Sequence, residues 1–298
     1  MRSVGSTYRI GVDGGGTKTE LILIDETGAI VTRHLAPGCN PNIAGPEQAR
    51  AIILEALGQI HREPVISTHL YMAGAPSWWR EFAADLRDFG TVSSHHDALP
   101  VLELATSGRP GLVLHGGTGS FVAAHAPDDT VHYAGGLGWR FGDPGSGYDL
   151  GRRVIARGLL ELQGWAPLTR FGPLVQHQSG LPVDETTVTA LTRHFYQNRD
   201  PNKTIAALAP AVLHLATEGD EAARTMVLES AKPLLDLALQ VATRLFPATP
   251  LDALPAGLSG PILTHPAVQA ALVPRSPLPL TPITEAPIMG VHRLMTRD

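Results

Sequence analysis

The chain has 298 residues, of which 43% are hydrophobic and 17% are charged, and its formal net charge is −5. This composition supports one large domain or two of medium size and excludes a disordered chain. The lack of a basic block excludes nucleic acid and an anionic membrane surface as expected partners. Cys39 is the single cysteine, which excludes an internal disulfide framework, a Cys₄ zinc site and an all-cysteine iron–sulfur cluster.

The opening residues Met1–Ser6 carry no apolar core of the kind found in signal peptides. No segment of the sequence is both long and apolar enough to span a bilayer. We therefore expect a cytoplasmic protein.

The first predicted element is a β-hairpin, because apolar residues precede and follow the glycine-rich turn within Ile10–Glu20. This turn holds three consecutive glycines, Gly14–Gly16, which is more than a hairpin needs. Without Cβ atoms, their backbone N–H groups can come close to an anion and point at it. Thr17 adds a hydroxyl donor and Lys18 a positive charge, so the turn is typical of a phosphate-binding loop, although a plain hairpin turn is the simpler alternative.

Asp13 stands at the mouth of this turn, where a carboxylate would repel a bare phosphate. We interpret it as a residue that holds Mg²⁺, directly or through water, against the phosphate. A Walker loop and a dinucleotide-binding fingerprint both require a helix after their glycines. The β pattern of Leu21–Ile24 therefore argues against both motifs.

Strands and helices are predicted to alternate after this hairpin. The expected elements are a strand at Ala29–Leu35, a loop at Pro37–Asn42, a helix at Glu47–Ile60, a strand at His69–Ala73, a helix capped by Ser77 and ending at Phe89, a weak strand at Val92–Ser94, and a helix at Pro100–Thr106. The triplet His95-His96-Asp97 ends the weak strand and precedes the last of these helices.

A second glycine-tipped hairpin is predicted further along the chain. A buried strand at Gly111–His115 ends in the sequence Gly116-Gly117-Thr118-Gly119-Ser120, and Phe121–His125 is expected to pair with Val131–Tyr133. The remaining elements are a glycine-rich segment at Gly135–Gly151 that opens a helix through Leu162, helices near Asp184–Asn198, Lys203–Thr217 and Glu221–Phe246, a strand end with a glycine turn at Ala256–Pro261, a short helix, a strand near Leu278–Thr281, and a final helix from Pro287. Pro233 is expected to kink or split the longest of these helices.

A hairpin with glycine and threonine at its tip is thus predicted twice in the sequence. Two such tips that face each other can hold a polyphosphate between them. The sequence therefore predicts duplicated α/β domains with a nucleotide between them.

In their order along the chain, these motifs resemble the sugar kinase/Hsp70/actin superfamily of ATPases. Within it the chain looks like the N-acetylglucosamine kinase branch, which includes bacterial glucosamine kinases and the BadF/BadG/BcrA/BcrD-type ATPases. The resemblance runs nearly end to end and is carried by four segments. Gly11–Thr19 and Gly117–Ser120 fit the two phosphate motifs, Gly136–Gly147 fits the sugar-binding segment, and Leu258–Gly260 stands where an adenosine motif is expected.

The resemblance implies an α/β architecture with two lobes, the ribonuclease H-like fold of actin-like ATPases, with duplicated α/β domains and a central nucleotide cleft. Residues 1–112 would form the amino-terminal domain, completed by the carboxyl-terminal helix at 286–298. Residues 113–285 would form the larger carboxyl-terminal domain.

The resemblance also implies roles for single residues. Asp97 would be the catalytic base, and Asp13 would hold the Mg²⁺, through water. The ATP-binding residues would be Gly14, Gly15, Gly16, Thr17, Lys18, Gly117, Thr118, Gly119, Ala207, Ser259 and Gly260, with Ala206 packed nearby. The sugar-binding residues would be Asn40, Asp97, Ser120, Gly136, Gly138 and Asp143.

Phosphoryl-transfer chemistry independently supports a carboxylate base at Asp97, because the sugar hydroxyl needs an acceptor for its proton. A simple N-cap of the following helix is the alternative for Asp97, and a turn residue is the alternative for Asp143. Two positions depart from the pattern of the branch. This chain has Pro144 where the branch commonly has glutamate, and Leu137 where the branch usually has tryptophan. Both lie in the sugar segment and leave the identity of the sugar open.

The predicted activity is transfer of the γ-phosphoryl group of ATP to the 6-hydroxyl of N-acetylglucosamine, with ATP and Mg²⁺ as cofactors. Glucosamine kinase is the nearest alternative, followed by an ATPase activator of a dehydratase and a non-catalytic sugar sensor. The expected partners are a small amino sugar and a second copy of the chain in a homodimer.

Two pairs of adjacent aromatic residues, His95-His96 and Trp78-Trp79, could suggest binding sites but have simpler structural interpretations. His95 and His96 are adjacent on a strand and would point to opposite faces, so they are poorly placed to chelate a metal. Trp78 and Trp79 are interpreted as packing residues or as a subunit contact rather than as a platform for the sugar.

Overall fold

The computed structural model describes residues 7–297, which divide into two compact units. The first unit contains the described residues up to Gly108 and those from Glu285 onward, and the second unit spans Arg109–Thr284. The segment Met1–Ser6, for which the sequence predicts no signal peptide, and Asp298, at the end of the predicted final helix, lie outside the described residues.

The first unit is built on a five-stranded mixed sheet with the order β3-β2-β1-β4-β5. Its strands are β1 at Tyr8–Gly14, β2 at Lys18–Asp25, β3 at Ile30–Pro37, β4 at Val65–Met72 and β5 at Thr91–His96. The first three strands form an antiparallel meander, whereas β4 runs parallel to β1 and β5 runs parallel to β4. The predicted opening hairpin is confirmed.

The helices of the first unit cover both faces of this sheet. They are α1 at Pro41–Ala44, α2 at Pro46–Ile60, α3 at Pro76–Asp85, α4 at Ala98–Thr106 and α13 at Pro287–Thr296. One hydrophobic core joins α2 and α3 to Ile10 and Val12 of β1, and another joins α13 to Ile22 and Ile24 of β2. Because the middle of β2 is buried on both faces, its residues Leu21–Ile24 form a continuous apolar run rather than an alternating one.

The second unit repeats the strand order of the first. Its strands are β6 at Gly111–Gly116, β7 at Ser120–His125, β8 at Val131–Gly135, β9 at Ala256–Ser259 and β10 at Leu280–Pro282. They lie in the order β8-β7-β6-β9-β10, again with an antiparallel meander followed by two parallel strands. The predicted duplication of an α/β domain with a glycine-tipped hairpin is therefore confirmed.

Most helices of the second unit lie in the long connection between β8 and β9. The helices are α5 at Gly147–Leu162, α6 at Phe171–Ser179, α7 at Val188–Gln197, α8 at Pro201–Ala206, α9 at Ala209–Glu218, α10 at Glu221–Leu245, α11 at Gly260–Leu263 and α12 at Pro266–Leu272. The core of this unit joins α10 to the central strands through residues such as Leu234, Leu114 and Val122. None of the helices within residues 7–297 has the length and apolarity needed to cross a bilayer.

The prediction of a helix capped by Ser77 and ending at Phe89 is wrong at both ends. The N-cap is Ala75, with Pro76 in the first turn, and the helix ends at Asp85. Proline is favoured in the first helical turn because its missing N–H needs no partner there. After Asp85 the chain is extended at Leu86, whose side chain is buried in the core of the first unit.

The predicted split at Pro233 does not occur, because α10 runs without interruption over 25 residues. A proline inside a helix removes one backbone hydrogen bond and costs about 3 kcal/mol. The neighbouring residues Ala231, Leu234 and Leu235 are almost fully buried. Tertiary packing of this helix therefore outweighs the local cost of the proline.

Helix boundaries between α5 and α10 are also corrected by the structure. The predicted helix at Lys203–Thr217 is two helices, α8 and α9, with Pro210 in the first turn of α9. The helix predicted from Asp184 begins only at Val188, where the Thr187 side chain provides the N-cap. The helix α6 was not predicted from the sequence.

Candidate functional site

The tip of the first hairpin, between β1 and β2, is closed by a backbone hydrogen bond. The Gly15 N–H donates to the Lys18 carbonyl at 3.0 Å, so it serves the turn itself. Gly16 and Thr17 form the exposed end of the tip. The Lys18 Nζ lies 3.2 Å from a Glu20 carboxylate oxygen on the same strand. The predicted phosphate loop thus presents Gly16, Thr17 and Lys18 to solvent.

The loop after β3 packs closely on this tip. The Cys39 N–H donates to the Gly15 carbonyl at 3.1 Å, and the Thr19 hydroxyl donates to the Pro37 carbonyl at 2.8 Å. A Cβ atom at Gly38 would overlap the Gly16 carbonyl. The loop after β3 can therefore pack this closely on the hairpin tip only because residue 38 is a glycine.

Asn40 follows in the same loop and caps the short helix α1. Its Oδ1 accepts a hydrogen bond from the Asn42 N–H at 2.9 Å, which fixes the orientation of the side-chain amide. Gly74, which follows β4, packs against that Oδ1 and has a φ of +98°. The predicted sugar loop is thereby attached to the carboxyl end of β4.

Asp13 and Asp97 are the two acidic residues predicted for catalysis, and both lie in the first unit. Burial is the main cause that raises the pKa of Asp13 to about 7, and the negative charge of Asp97 adds to the increase, while Lys18 opposes it. Asp97 occupies the N-cap position of α4, but its side chain makes no capping hydrogen bond. Asp97 thus stands at the start of α4, as the N-cap alternative predicts, and its negative charge acts on Asp13.

The donor set around Asp13 fits a magnesium ion. An ionised carboxylate that is desolvated and faces a second carboxylate is stabilised by a divalent cation. Within residues 7–297 no group of three or more histidine, cysteine, aspartate or glutamate side chains could hold a metal ion, so protein side chains would supply only a few of its ligands. Magnesium is commonly held by one or two carboxylates, with water and substrate phosphates as its other ligands.

The tip of the second hairpin, between β6 and β7, is hydrogen-bonded to the first turn of α5. The Gly117 carbonyl accepts from the Gly147 N–H at 2.8 Å, and the Thr118 carbonyl accepts from the Tyr148 N–H at 3.3 Å. The tip is closed by the Gly117 N–H, which donates to the Gly119 carbonyl at 2.9 Å. Thr118 is exposed at its end.

The predicted sugar segment packs against the same tip and places Asp143 in its interior. Asp143 is 4% exposed, and its Oδ1 has no hydrogen-bond partner among the described residues. Burial raises the pKa of Asp143, while hydrogen bonds from the backbone of Gly138 and Ser120 oppose that shift. The structure thus brings together three of the predicted sugar-binding residues. Asp143 also begins a turn, as its alternative predicts, since its carbonyl accepts from the Ser146 N–H at 3.1 Å, but the turn does not use the buried, unpaired side-chain oxygen.

Two further residues of this segment support the arrangement. The Gly136 N–H donates to the Ser120 carbonyl at 3.1 Å, and the Ser120 hydroxyl donates to the Pro144 carbonyl at 2.7 Å. Because only its carbonyl is used, proline is compatible with position 144. Leu137, the other departure from the branch, is 68% exposed.

A cavity of about 360 Å³ opens beside the second tip. It is lined by Gly117, Thr118, Gly147, Ala206, Pro210, Leu213, Pro261, Ile262 and His265. Ala206 was expected there, but Ala207, Ser259 and Gly260 do not line it. The lining residues on α9 and α11 were not predicted because these helices become neighbours only in the folded unit.

Ser259 and Gly260 lie behind the cavity wall and join β9 to β6. The Ser259 hydroxyl shares a hydrogen bond of 2.7 Å with Nδ1 of His115, whose ring stacks on Phe121. Burial lowers the pKa of His115 to about 4, so the imidazole is neutral at ordinary pH. Gly260 has a φ of +81°, and a Cβ atom there would overlap the Gly116 carbonyl.

Trp79 has a structural role in the first unit. It is fully buried, and its Nε1 donates to the Ala73 carbonyl at 2.9 Å. Of the two alternatives for this residue, the structure supports packing.

Two sheets of the same strand order, each with a glycine-tipped hairpin, define an α/β protein with the fold of actin-like ATPases and sugar kinases. Residues 10–259 match the BadF/BadG/BcrA/BcrD ATPase family, and the chain belongs to that family. A solved structure from Chromobacterium violaceum, a candidate N-acetylglucosamine kinase, is similar with a TM-score of 0.77 and 25% identity, covering 97% of this chain and 99% of the other.

Two relatives that are similar in sequence carry the names of amino-sugar kinases. The N-acetyl-D-glucosamine kinase of Dictyostelium discoideum is 27% identical over 260 residues, which is 79% of each chain. The glucosamine kinase GspK of Vibrio cholerae is 26% identical over 203 residues, covering 64% of this chain and 68% of the relative. The match to the Dictyostelium protein therefore extends over most of both chains.

Replacement of Gly260 by alanine should destabilise the protein more than the same change at Gly164. Both residues have a positive φ, +81° and +82°, but a Cβ atom at Gly164 would meet nothing within 4 Å. Gly164→Ala should cost about 1–2 kcal/mol from backbone conformation alone. Gly260→Ala should cost about 1–3 kcal/mol more, because the Gly116 carbonyl must move. Urea unfolding of both variants measures this, and equal losses would contradict the close packing at Gly260.

Protonation of His115 should destabilise the folded chain in acid. Its pKa is about 4 when folded and 6.5 when unfolded, so between these values the unfolded state binds the additional proton. The free energy of unfolding should therefore fall as the pH decreases from about 6.5 to about 4, by up to about 1.4 kcal/mol per pH unit.

The variant His115→Gln isolates this effect, because the other histidines titrate in both proteins. Its unfolding free energy should depend less steeply on pH than that of the wild type in the same range. Parallel pH profiles for the two proteins would show that His115 is not a buried neutral imidazole.

Proposed function

We propose that this protein is an ATP-dependent amino-sugar kinase that transfers the γ-phosphoryl group to the 6-hydroxyl of N-acetylglucosamine. The observation that carries the proposal is the pair Asp13 and Asp97: burial raises the pKa of Asp13, and the negative charge of Asp97 at the start of α4 adds to the increase. Membership of an ATPase family and similarity to the Dictyostelium kinase support the choice of nucleotide and substrate class.

Asp97 is proposed as the general base. A carboxylate that follows the carboxyl end of β5 and precedes α4 is placed where it can accept the proton of a sugar hydroxyl as the phosphoryl group is transferred. Asp13 would hold Mg²⁺, directly or through water, and the metal would supply neutralisation of phosphate charge. Thr17 and Lys18 would contact phosphate oxygens from the tip of the first hairpin.

In the second unit, Thr118 and the glycines beside it would contact phosphate oxygens. The adjacent cavity has apolar walls from residues such as Pro210, Leu213 and Ile262, which suits an adenine ring. Gly116, Ser259 and Gly260 would act from behind by fixing the position of that wall. The predicted role of Ser259 and Gly260 in adenosine binding is thus proposed to be indirect.

Asp143 is proposed to bind the sugar. A buried carboxylate oxygen without a partner carries a desolvation cost of about 1–3 kcal/mol, which a donated hydroxyl proton would offset. Asn40 would contribute the nitrogen end of its amide as a donor, since its oxygen already caps α1. Both contacts require hydroxyl groups on the substrate.

Glucosamine kinase is the second candidate, favoured by the similarity to the Vibrio cholerae protein. A role as a dehydratase activator would require a cysteine ligand for a shared iron–sulfur cluster. Cys39 is fully buried, and burial raises the pKa of its thiol to about 11, so it is a poor ligand for such a cluster. A sugar sensor without activity differs from both candidates by the absence of ATP turnover.

The variant Asp97→Asn should keep its fold and its affinity for ATP but lose phosphoryl transfer by about 10²–10⁴-fold, because the general base is removed. Coupled ADP detection with N-acetylglucosamine measures the rate, and thermal unfolding with and without ATP checks the fold. Asp88→Asn, at an exposed aspartate of the same unit, is the matched control and should leave turnover unchanged. Near-normal turnover of Asp97→Asn would remove Asp97 from the proposed role.

A sugar panel should show higher kcat/KM for N-acetylglucosamine than for glucosamine, mannose or glucose. The products should carry the phosphate on the 6-oxygen, which ³¹P and ¹³C NMR spectra of the purified product identify. A preference for glucosamine would select the second candidate. Absence of ADP formation with every sugar would reject both kinase assignments.

A further inference from the structure

The second unit contains another cavity, of about 550 Å³, that none of the proposed catalytic residues lines. It lies among α9, α10 and α12, and its room comes from small side chains on two of these helices. They are Ala216, Ala267, Ala270 and Ala271. A cavity of this size is in the range of small-molecule binding sites.

The charge of this cavity is set by two arginines, Arg224 and Arg275. The one carboxylate in its wall, Glu221, is 85% exposed and lies 3.4 Å from an Arg224 nitrogen, so it compensates little of the positive charge. The cavity therefore has a net positive lining and would attract an anion.

Both guanidinium groups are held in place before any ligand binds. Nε of Arg224 donates to the Ala216 carbonyl at 3.1 Å, and Nη1 of Arg275 donates to the Ala271 carbonyl at 2.9 Å. Each guanidinium has five N–H donors, so most of its donors remain for a ligand. Fixing the side chains by backbone carbonyls reduces the entropy that a ligand would otherwise have to overcome.

The arrangement favours a phosphate monoester over a carboxylate. Two arginines match the charge of a phosphate dianion, and their planar forks can each contact two of its oxygens. The other polar groups suit a hydroxylated body. Glu221 can accept from hydroxyl groups, and Thr217, whose proton goes to the Leu213 carbonyl at 2.9 Å, has only acceptor capacity left. Thr225 offers a further hydroxyl at the wall.

We propose that the cavity between α9, α10 and α12 binds the phosphate monoester of a small sugar, with Arg224 and Arg275 holding the phosphate. It differs from the proposed adenine cavity, although α9 contributes to the walls of both and the N-cap of α12, His265, lines the adenine cavity. Leu213 and His265 line the adenine cavity, and Ala216 and Pro266, further along the chain, line the second one. The binding test does not depend on whether the chain is a kinase.

Isothermal titration of the full-length protein with N-acetylglucosamine 6-phosphate, glucosamine 6-phosphate, inorganic phosphate and unphosphorylated N-acetylglucosamine tests the proposal. The double variant Arg224→Gln/Arg275→Gln should lose affinity for the two sugar phosphates by about tenfold or more, since two charged contacts are removed. Ala270→Leu fills the cavity without changing its charge and should also weaken binding. Arg244→Gln, at an exposed arginine near the end of α10, is the control and should bind as the wild type does.

Each outcome decides the proposal. Binding of sugar phosphates that is unchanged in the double variant and in Ala270→Leu would assign it to another site and overturn the proposal, as would no binding at millimolar concentration. Equal affinity for inorganic phosphate would overturn the part that concerns the sugar. Transfer activity measured without added sugar phosphate should be the same in all variants, so a failure of the proposed kinase function would be visible separately.

Discussion

Contacts between backbones that only glycine permits hold the tips of both central hairpins. In the first unit, Gly38 packs on the Gly16 carbonyl, and in the second, Gly260 packs on the Gly116 carbonyl. A side chain at either position would separate two loops that come from distant parts of the sequence. The exposed threonines at the tips are therefore carried on rigid backbone, which is what a phosphate-binding loop requires.

Burial of polar groups near these tips is the second constraint. Asp13, His115 and Asp143 all have pKa values shifted chiefly by desolvation. His115 is satisfied within the protein by Ser259, whereas the Asp143 Oδ1 has no such partner among the described residues. This difference separates a group that supports the fold from one that is suited to a ligand.

The two units share one strand order but differ in what is inserted into it. The first carries short helices between its strands and places the acidic pair near the carboxyl ends of β1 and β5. The second carries six helices between β8 and β9, and these supply walls for both of its cavities. The same scaffold thus provides acidic chemistry in one unit and binding space in the other.

The sequence by itself determined the hairpins, the repeated α/β design and the positions of Asp13, Asp97 and Asp143. These features depend on local patterns, such as apolar runs bounded by glycine, which can be recognised within a short stretch of the sequence. Only the tertiary structure decided that Pro233 stays within one helix, that Ser259 bonds His115 across 144 residues, and that Pro210 and Leu213 wall a cavity. The physical reason is that these outcomes depend on packing and burial between segments far apart in the chain, and those interactions outweigh local preferences.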